Sequence, residues 1–373
     1  MEIVAISKCS TYDIEQIRQV LCRSLGMLGG LERFVQPGER ILLKVNCLND
    51  APPERAITTH PAFLQAVVQL VKTRTDQIVV ADSPGFIPFL SACQKNGYAE
   101  IAQQEGVELF EFIADDTLTN PHGLVYKHFP VSSRLRHVDR VFNLARLKTH
   151  SLMYLTLAVK NMLGLIPGEL KLSYHSQAGT DRMLFAKILV DIFRARQPDL
   201  NFVDGIVAME GNGPSAGTPR KLGLVVVGAS GFAVDDTIAQ IVGVDPERIP
   251  TQAVYRRFVL NGRKLEVEVR GELLSSLQMK NFRFPSDFHK GIPDLAYRLG
   301  KRWVLPRPVF LREQCTGCQV CVRICPAHAL HYDKQKKILF DEKCIRCFCC
   351  QEMCPARAIG VKKPSLSFFS KSD

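Results

Sequence analysis

The chain has 373 residues, 46% of them hydrophobic and 23% charged, enough to bury one full core and leave room for a second small unit. It holds no apolar run of the roughly 18 to 20 residues needed to cross a bilayer, and the start "MEIVAISKCSTYD" has no basic stretch leading into a long apolar one, so a cytoplasmic protein is expected. The formal charge of +11 is uneven: from Lys301 onward fourteen Lys and Arg face six Asp and Glu. Aromatic residues are not interleaved with the basic ones as in a nucleic-acid module, so the expected partner is an acidic redox protein and not nucleic acid.

In chain order, short apolar runs read as strands at "EIVAIS", "RILLKVN", "QIVVAD", "VDRVFNL", "NFVDGI" and "LGLVVVG". Between several of them lie stretches that read as helices: "DIEQIRQVLCRSLGML", "PAFLQAVVQLVKT", "LMYLTLAVKNMLG", "DRMLFAKILVDIFRA" and "AVDDTIAQIVG". Apolar strands alternating with helices predict an α/β layered domain with a largely parallel sheet over residues 1–275, followed by a small α+β unit over 308–362. The Pro- and Arg-rich stretch 276–307 reads as a linker packed across both, and 363–373 as a tail. Trp303 and its apolar neighbours leave open a membrane-surface helix in that linker.

Polar residues gather where such a sheet presents its carboxyl edge. Lys44 and Asn46 end one strand, Asp82 another, Asn143 to His150 follow a third, and Asp204 closes a fourth. Ligands of open α/β sheets settle beyond those ends, so one shared crevice is expected. A helix over 151–163 would set His150, Tyr154, Leu157 and Asn161 on one face, with Lys148 and Lys160 beside it to hold a carboxylate or phosphate. His150 and Glu210 are the candidate proton donors, and His175 is a further candidate for a proton or a ligand. In "DGIVAMEGNGPSAGTPR", Gly211 and Gly213 could form an anion nest of backbone N–H groups, or simply make turns. Thr58 and Thr59 before His60 and Pro61 read as a helix start. No G-x-G-x-x-G follows a strand and no phosphate-loop motif occurs, so a flavin or an additional metal would have to bind without a signature.

Nine of the thirteen cysteines fall after residue 314. "CTGCQVCVRICPAHAL" at 315 and "CIRCFCCQEMCPARAI" at 344 align without gaps at an offset of 29. Each half reads C-x2-C-x2-C-x3-C-P, the run that wraps thiolates around a four-iron cluster, its fourth cysteine serving the other cluster. Cys315, Cys318, Cys321 and Cys354 are thereby assigned to one 4Fe-4S cluster, and Cys344, Cys347, Cys350 and Cys325 to a second. Zinc sites, the competing reading, lack the third cysteine and the trailing proline. Cys349 breaks the spacing and is expected to be a small buried side chain, as are Cys9, Cys22, Cys47 and Cys93.

Residues 308–362 resemble the bacterial two-cluster ferredoxin domain. The ordered segments "LLKVN", "ITTHPAFLQAVV", "VADSPG", "ARLKTHSLMYLTLAVKN", "GLIPG", "FVDGIVAMEGNGPSAGTP" and "FAVDDTIAQIVG" resemble the family known as domain of unknown function 362, over roughly residues 38–245. That resemblance implies a crevice built from Lys44, Thr59, Asp82, Lys148, His150, Lys160, Asn161, Asp204, Glu210, Gly213 and Asp235, and implies no catalytic roles. The expectation is an iron–sulfur protein whose two clusters exchange electrons with an anionic substrate or a cofactor in the α/β domain. The rival is an electron-transfer or metallocofactor-maturation protein whose large domain docks a partner or handles a metal through His150, His175, Asp82 and Glu210.

Overall fold

The structure is a computed structural model that describes residues 1–85, 87–168, 170–279, 281–285, 306–335 and 337–362. Most of the expected linker, with Trp303, and the whole tail lie outside the described residues.

Six apolar runs of the sequence become strands of one sheet: β1 (Glu2–Lys8), β2 (Ile41–Lys44), β3 (Ile78–Asp82), β7 (Arg140–His150), β9 (Leu200–Glu210) and β10 (Thr218–Gly228). Two further strands, β4 (Glu108–Glu111) and β11 (Val267–Gly271), close its edges. The order is β11-β1-β10-β9-β7-β2-β3-β4, and all of these strands run one way except β10. β2 and β3 are buried along their whole length, which is why they read as unbroken apolar runs and not as alternating ones. Between β4 and β7 a small hairpin of β5 (Asp116–Thr119) and β6 (His128–Val131) stands apart from the sheet.

Helices cover both faces. On one, α1 (Ile14–Met27), α2 (Pro61–Lys72), α3 (Phe89–Asn96) and α4 (Tyr98–Glu105) bury residues such as Leu21, Phe63, Val67 and Tyr98 against Leu43, Phe142 and Phe202. On the other lie α5 (Ala158–Asn161), α6 (Leu170–Ala178), α7 (Arg182–Ala195) and α8 (Gly231–Ile241). α2 starts as its proline suggests, but the cap is His60, whose Nδ1 accepts the Ala62 N–H at 3.2 Å; Thr59 instead bonds the Asn46 N–H and the Leu144 carbonyl.

One expected helix is not there. β7 runs on to His150, the chain turns, and β8 (Tyr154–Thr156) pairs back on it antiparallel, with Tyr154 at a φ of 69°. Helix α5 begins only at Ala158, where the Asp235 carboxylate accepts the N–H groups of Ala158 and Val159 at 2.8 and 3.1 Å. His150, Tyr154, Leu157 and Asn161 therefore share no helix face.

The C-terminal unit repeats itself as the sequence does. β12 (Arg307–Phe310) pairs with β15 (Ile359–Lys362), and β13 (Leu330–Asp333) with β14 (Lys337–Phe340). Two one-turn helices, Val320–Arg323 and Cys349–Glu352, stand at the same offset of 29, each preceded by a residue of positive φ, Gln319 and Phe348.

Candidate functional site

The carboxyl ends of β2, β3 and β7 do converge. Lys44 and Asp82, buried side by side, form an ion pair of 2.9 Å; Asp82 also accepts the N–H groups of Cys47 and Ser83 at 2.6 and 2.7 Å, and Lys44 donates to the Val45 carbonyl. Gly164 lies directly on this pair: a Cβ there would stand 2.0 Å from Asp82 Oδ1. Above it opens a cavity of about 90 Å³ lined by Asn46, Asp82, Lys148, Lys160, Asn161, Lys171 and His175 from the large domain. Its remaining wall comes from the C-terminal unit: Ile324, Cys349, Glu352 and Met353.

Of the residues singled out from the sequence, Asn46, Asp82, Lys148, Lys160, Asn161 and His175 line the cavity. Asn161 is spent on a ladder of amides, bonding Asn46 and Asn143 at 2.9 and 2.8 Å, and Asn143 bonds Asn201 at 2.8 Å, which ties β2, β7 and β9 together. Lys44 lies beneath the cavity, behind Asp82. His150 stands behind Glu352: its Nδ1 accepts the N–H groups of Leu152 and Met153, and its Nε2 lies 3.1 Å from Glu352 Oε1 without the alignment of a hydrogen bond. Burial and the charge of Lys160 push His150 down to about 4, so it is a neutral ring at neutral pH.

Four candidates lie elsewhere. Asp204 is buried in an ion pair with Arg146 and accepts the Tyr12 hydroxyl at 2.9 Å, a structural network on which the Tyr12 and His60 rings stack 3.5 Å apart. Glu210 pairs with Arg283 at 2.8 Å and lines no part of the cavity, so its expected proton role is not supported by its position. Gly211 and Gly213 form no anion nest, because their N–H groups are already bound, one to the Arg283 carbonyl at 2.7 Å and the other to Thr149 Oγ1 at 3.2 Å. A Cβ on Gly213 would stand 2.1 Å from the Thr149 carbonyl oxygen, so close backbone approach explains that glycine.

Two charged cavity residues escaped the sequence reading: Lys171 and Glu352. Lys171 sits on α6 and bonds the Ser83 carbonyl; Glu352 hides among cysteines, in a segment read only for its sulfur. Burial raises Glu352, but the neighbouring His150 and Lys160 outweigh this and keep it a carboxylate. Burial lowers all three cavity lysines, taking Lys148 to about 7 with help from Lys160, and Lys171 to about 8. His175, the further candidate for a proton or a ligand, is a buried residue of α6 packed on Phe185, ring centroids 4.2 Å apart.

All thirteen cysteines are free. Cys9, Cys47, Cys93 and Cys349 are buried as expected; Cys22 is exposed, on the outer side of α1. Cys315, Cys318, Cys321 and Cys354 line one small cavity. Of the other four, Cys350 lies within electrostatic reach of Cys347, Cys344 and Cys325, and also of Cys321 from the first set. The two halves treat sulfur alike: Cys325 Sγ accepts the Ala329 N–H at 3.2 Å and Cys354 Sγ the Ala358 N–H at 3.1 Å. Among the described residues no three His, Cys, Asp or Glu side chains converge on a single-ion point, whereas a structural zinc needs its four ligands within about 2.3 Å of one atom. The thiols of Cys315, Cys318, Cys321 and Cys354, ringing a void, suit a multi-iron cage.

Fold and site together define a largely parallel α/β domain with a two-cluster ferredoxin-type module set over its strand-end crevice. The chain belongs to the family described as Domain of unknown function (DUF362), whose model matches residues 41–240. A 4Fe-4S dicluster domain matches residues 307–355 and gives the protein iron–sulfur electron-transfer capacity. The thylakoid-associated protein sll1697 of Synechocystis sp. is 34% identical over 282 residues, 76% of this chain and 87% of that one. Among solved structures, a Thermotoga maritima protein is similar at 14% identity and a TM-score of 0.38, over 61% of this chain and 57% of its own. The lactate racemase apoprotein of Thermoanaerobacterium thermosaccharolyticum is similar at 12% identity and a TM-score of 0.38, over 56% of this chain and 51% of its own. The chain thus spans little more than half the length of those two. Among the described residues no helix is long and apolar enough to cross a membrane.

Proposed function

We propose that the protein is an oxidoreductase in which electrons pass between two 4Fe-4S clusters and a small molecule bound in the crevice. Cys315, Cys318, Cys321 and Cys354 hold the outer cluster; Cys325, Cys344, Cys347 and Cys350 hold the inner one. When bound, such clusters supply single electrons at a potential set by their surroundings. The observation that carries this reading is the shared wall. The segment Cys349–Met353, interleaved with inner-cluster cysteines, closes the same cavity that Lys148, Lys160 and Lys171 line. Cys347 packs in one apolar cluster with Leu48 and Leu172, which also line it.

The module is docked by specific bonds. Gln351 donates to the Asn212 carbonyl at 2.9 Å, Ser215 donates to the Gln351 carbonyl at 3.3 Å, and Ser151 Oγ lies 3.3 Å from Gln351 Oε1. Lys148 and Lys160 bind the substrate. His150 orients Glu352 and is a positioning residue in this arrangement, not the proton donor. At the far end, an acidic redox protein meets the basic C-terminal unit in the cytoplasm, or on the cytoplasmic face of a membrane as the thylakoid association of the relative suggests.

The test is anaerobic: chemically reduced full-length protein is mixed with candidate small molecules and the cluster absorption is followed. Reoxidation that depends on the added compound, and that slows at least about tenfold in Lys160→Met, supports the reading. Reoxidation by protein partners alone would replace it with the relay reading.

A further inference from the structure

We propose that the crevice is built for a compact oxygen dianion, of the chemical class of inorganic phosphate or a short dicarboxylate, held by Lys148, Lys160 and Lys171. The proposal rests on the reading of the crevice as the substrate site and adds the class of ligand. The number of free donors facing one cavity carries it. Lys44 and Asp82 cancel as a buried pair, and Asp82 has both oxygens occupied. That leaves the amines of Lys148, Lys160 and Lys171 around the cavity, beside one acidic side chain, Glu352.

Each lysine has donors to spare. Lys148 Nζ gives one bond, to the Ile57 carbonyl at 2.5 Å, and Lys171 Nζ one to the Ser83 carbonyl, out of three donors apiece. Lys160 makes no hydrogen bond or ion pair among the described residues, although it lies within the electrostatic reach of Glu352 and Cys349. Both neighbouring histidines are driven toward the neutral form by burial and add no charge. Buried His175 lines the cavity with an unpartnered Nδ1.

Three lysine amines with donors to spare around one cavity call for an anion with more than two oxygens to accept them, as phosphate and malonate have and acetate has not. The size agrees: about 90 Å³ holds several waters, which a small oxyanion can displace.

Isothermal titration of the anaerobically purified full-length protein tests this at pH 7.5 and constant ionic strength, with sodium phosphate and sodium malonate as probes and acetate as the singly charged control. The expected result is saturable binding of at least one dianion. It should weaken about tenfold or more in Lys160→Met and in Lys171→Met, each checked for an unchanged cluster spectrum, and be largely restored in Lys160→Arg. Binding of neither dianion, acetate binding as tightly as both, or unchanged affinity in the two Met variants would overturn the proposal. Dianion binding without any compound-dependent reoxidation would support this site while removing the electron-exchange reading; reoxidation by a neutral compound, with no dianion bound, would do the reverse.

Discussion

Lys44, Arg146 and Lys148 are among the largest fully buried side chains of the protein, and they sit on neighbouring strands. Two are neutralised structurally, Lys44 by Asp82 and Arg146 by Asp204, while Lys148 has only a carbonyl. The difference predicts opposite responses to substitution. Arg146→Met leaves Asp204 buried with a phenol and backbone N–H groups but no cation, and should lower unfolding free energy by about 3 to 5 kcal/mol, measured by denaturant titration with the iron content unchanged. Lys148→Met removes an unmatched cation and should stabilise. Its magnitude depends on pH: burial holds Lys148 near 7 when folded, well below its ordinary value, so between about pH 7 and 10 the unfolded chain binds more protons and stability rises with pH. The penalty is full below pH 7. Lys148→Met should therefore raise the denaturation midpoint more at pH 6 than at pH 9, and equal gains at both would contradict a buried charge at this position.

The elements show how much of this was legible beforehand. Six strands could be read because burial on both faces writes itself as unbroken apolar runs, and the ends of β2, β3 and β7 located the crevice through Lys44, Asp82 and Lys148. "LMYLTLAVKNMLG" misled because an apolar stretch fits helix and strand periods equally, and the reversal at Ser151–Met153 carries neither Gly nor Pro. What sets the true start of α5 is Asp235, nearly eighty residues away, which no local pattern reveals. Glu210 and Asp204 looked like site residues because strand ends are polar; only their partners Arg283 and Arg146 show that their charge is already used. Asp235→Ala offers the matching test. Two buried N–H groups lose their acceptor, at about 1 to 3 kcal/mol each, and α5, which carries Lys160 and Asn161, loses its anchor. Stability should fall by about 2 to 4 kcal/mol and anion binding should vanish, while the iron content, which depends on the other unit, holds. Undiminished anion binding would mean that α5 is positioned by packing alone.

Over the whole molecule the two proposed cluster sites are unequal, and the inequality gives the electron path a direction in space. Each set has one half-buried cysteine, Cys315 or Cys344, but only the outer set has an exposed one, Cys318, its other two being buried like Cys325, Cys347 and Cys350; Cys347 packs toward the crevice through Leu48 and Leu172. Arg312 and Lys337 flank the outer site, with Lys337 Nζ bound to the Cys315 carbonyl at 2.7 Å, so the exposed end is also a basic one, suited to an acidic partner. Under the proposed function, a partner would meet the outer cluster and the small molecule the inner one. Cys318→Ala and Cys347→Ala separate the two roles. Each should lower iron from about eight toward about four per chain, with one set of paramagnetic signals lost on reduction. The Cys318 variant, reduced chemically, should still be reoxidised by a small molecule in the crevice but exchange slowly with a protein partner. The Cys347 variant should show the opposite pattern. If both lose small-molecule reoxidation equally while each retains one cluster, the path into the crevice does not run through the inner site, and the docking of Cys349–Met353 against the lysines serves stability rather than electron delivery.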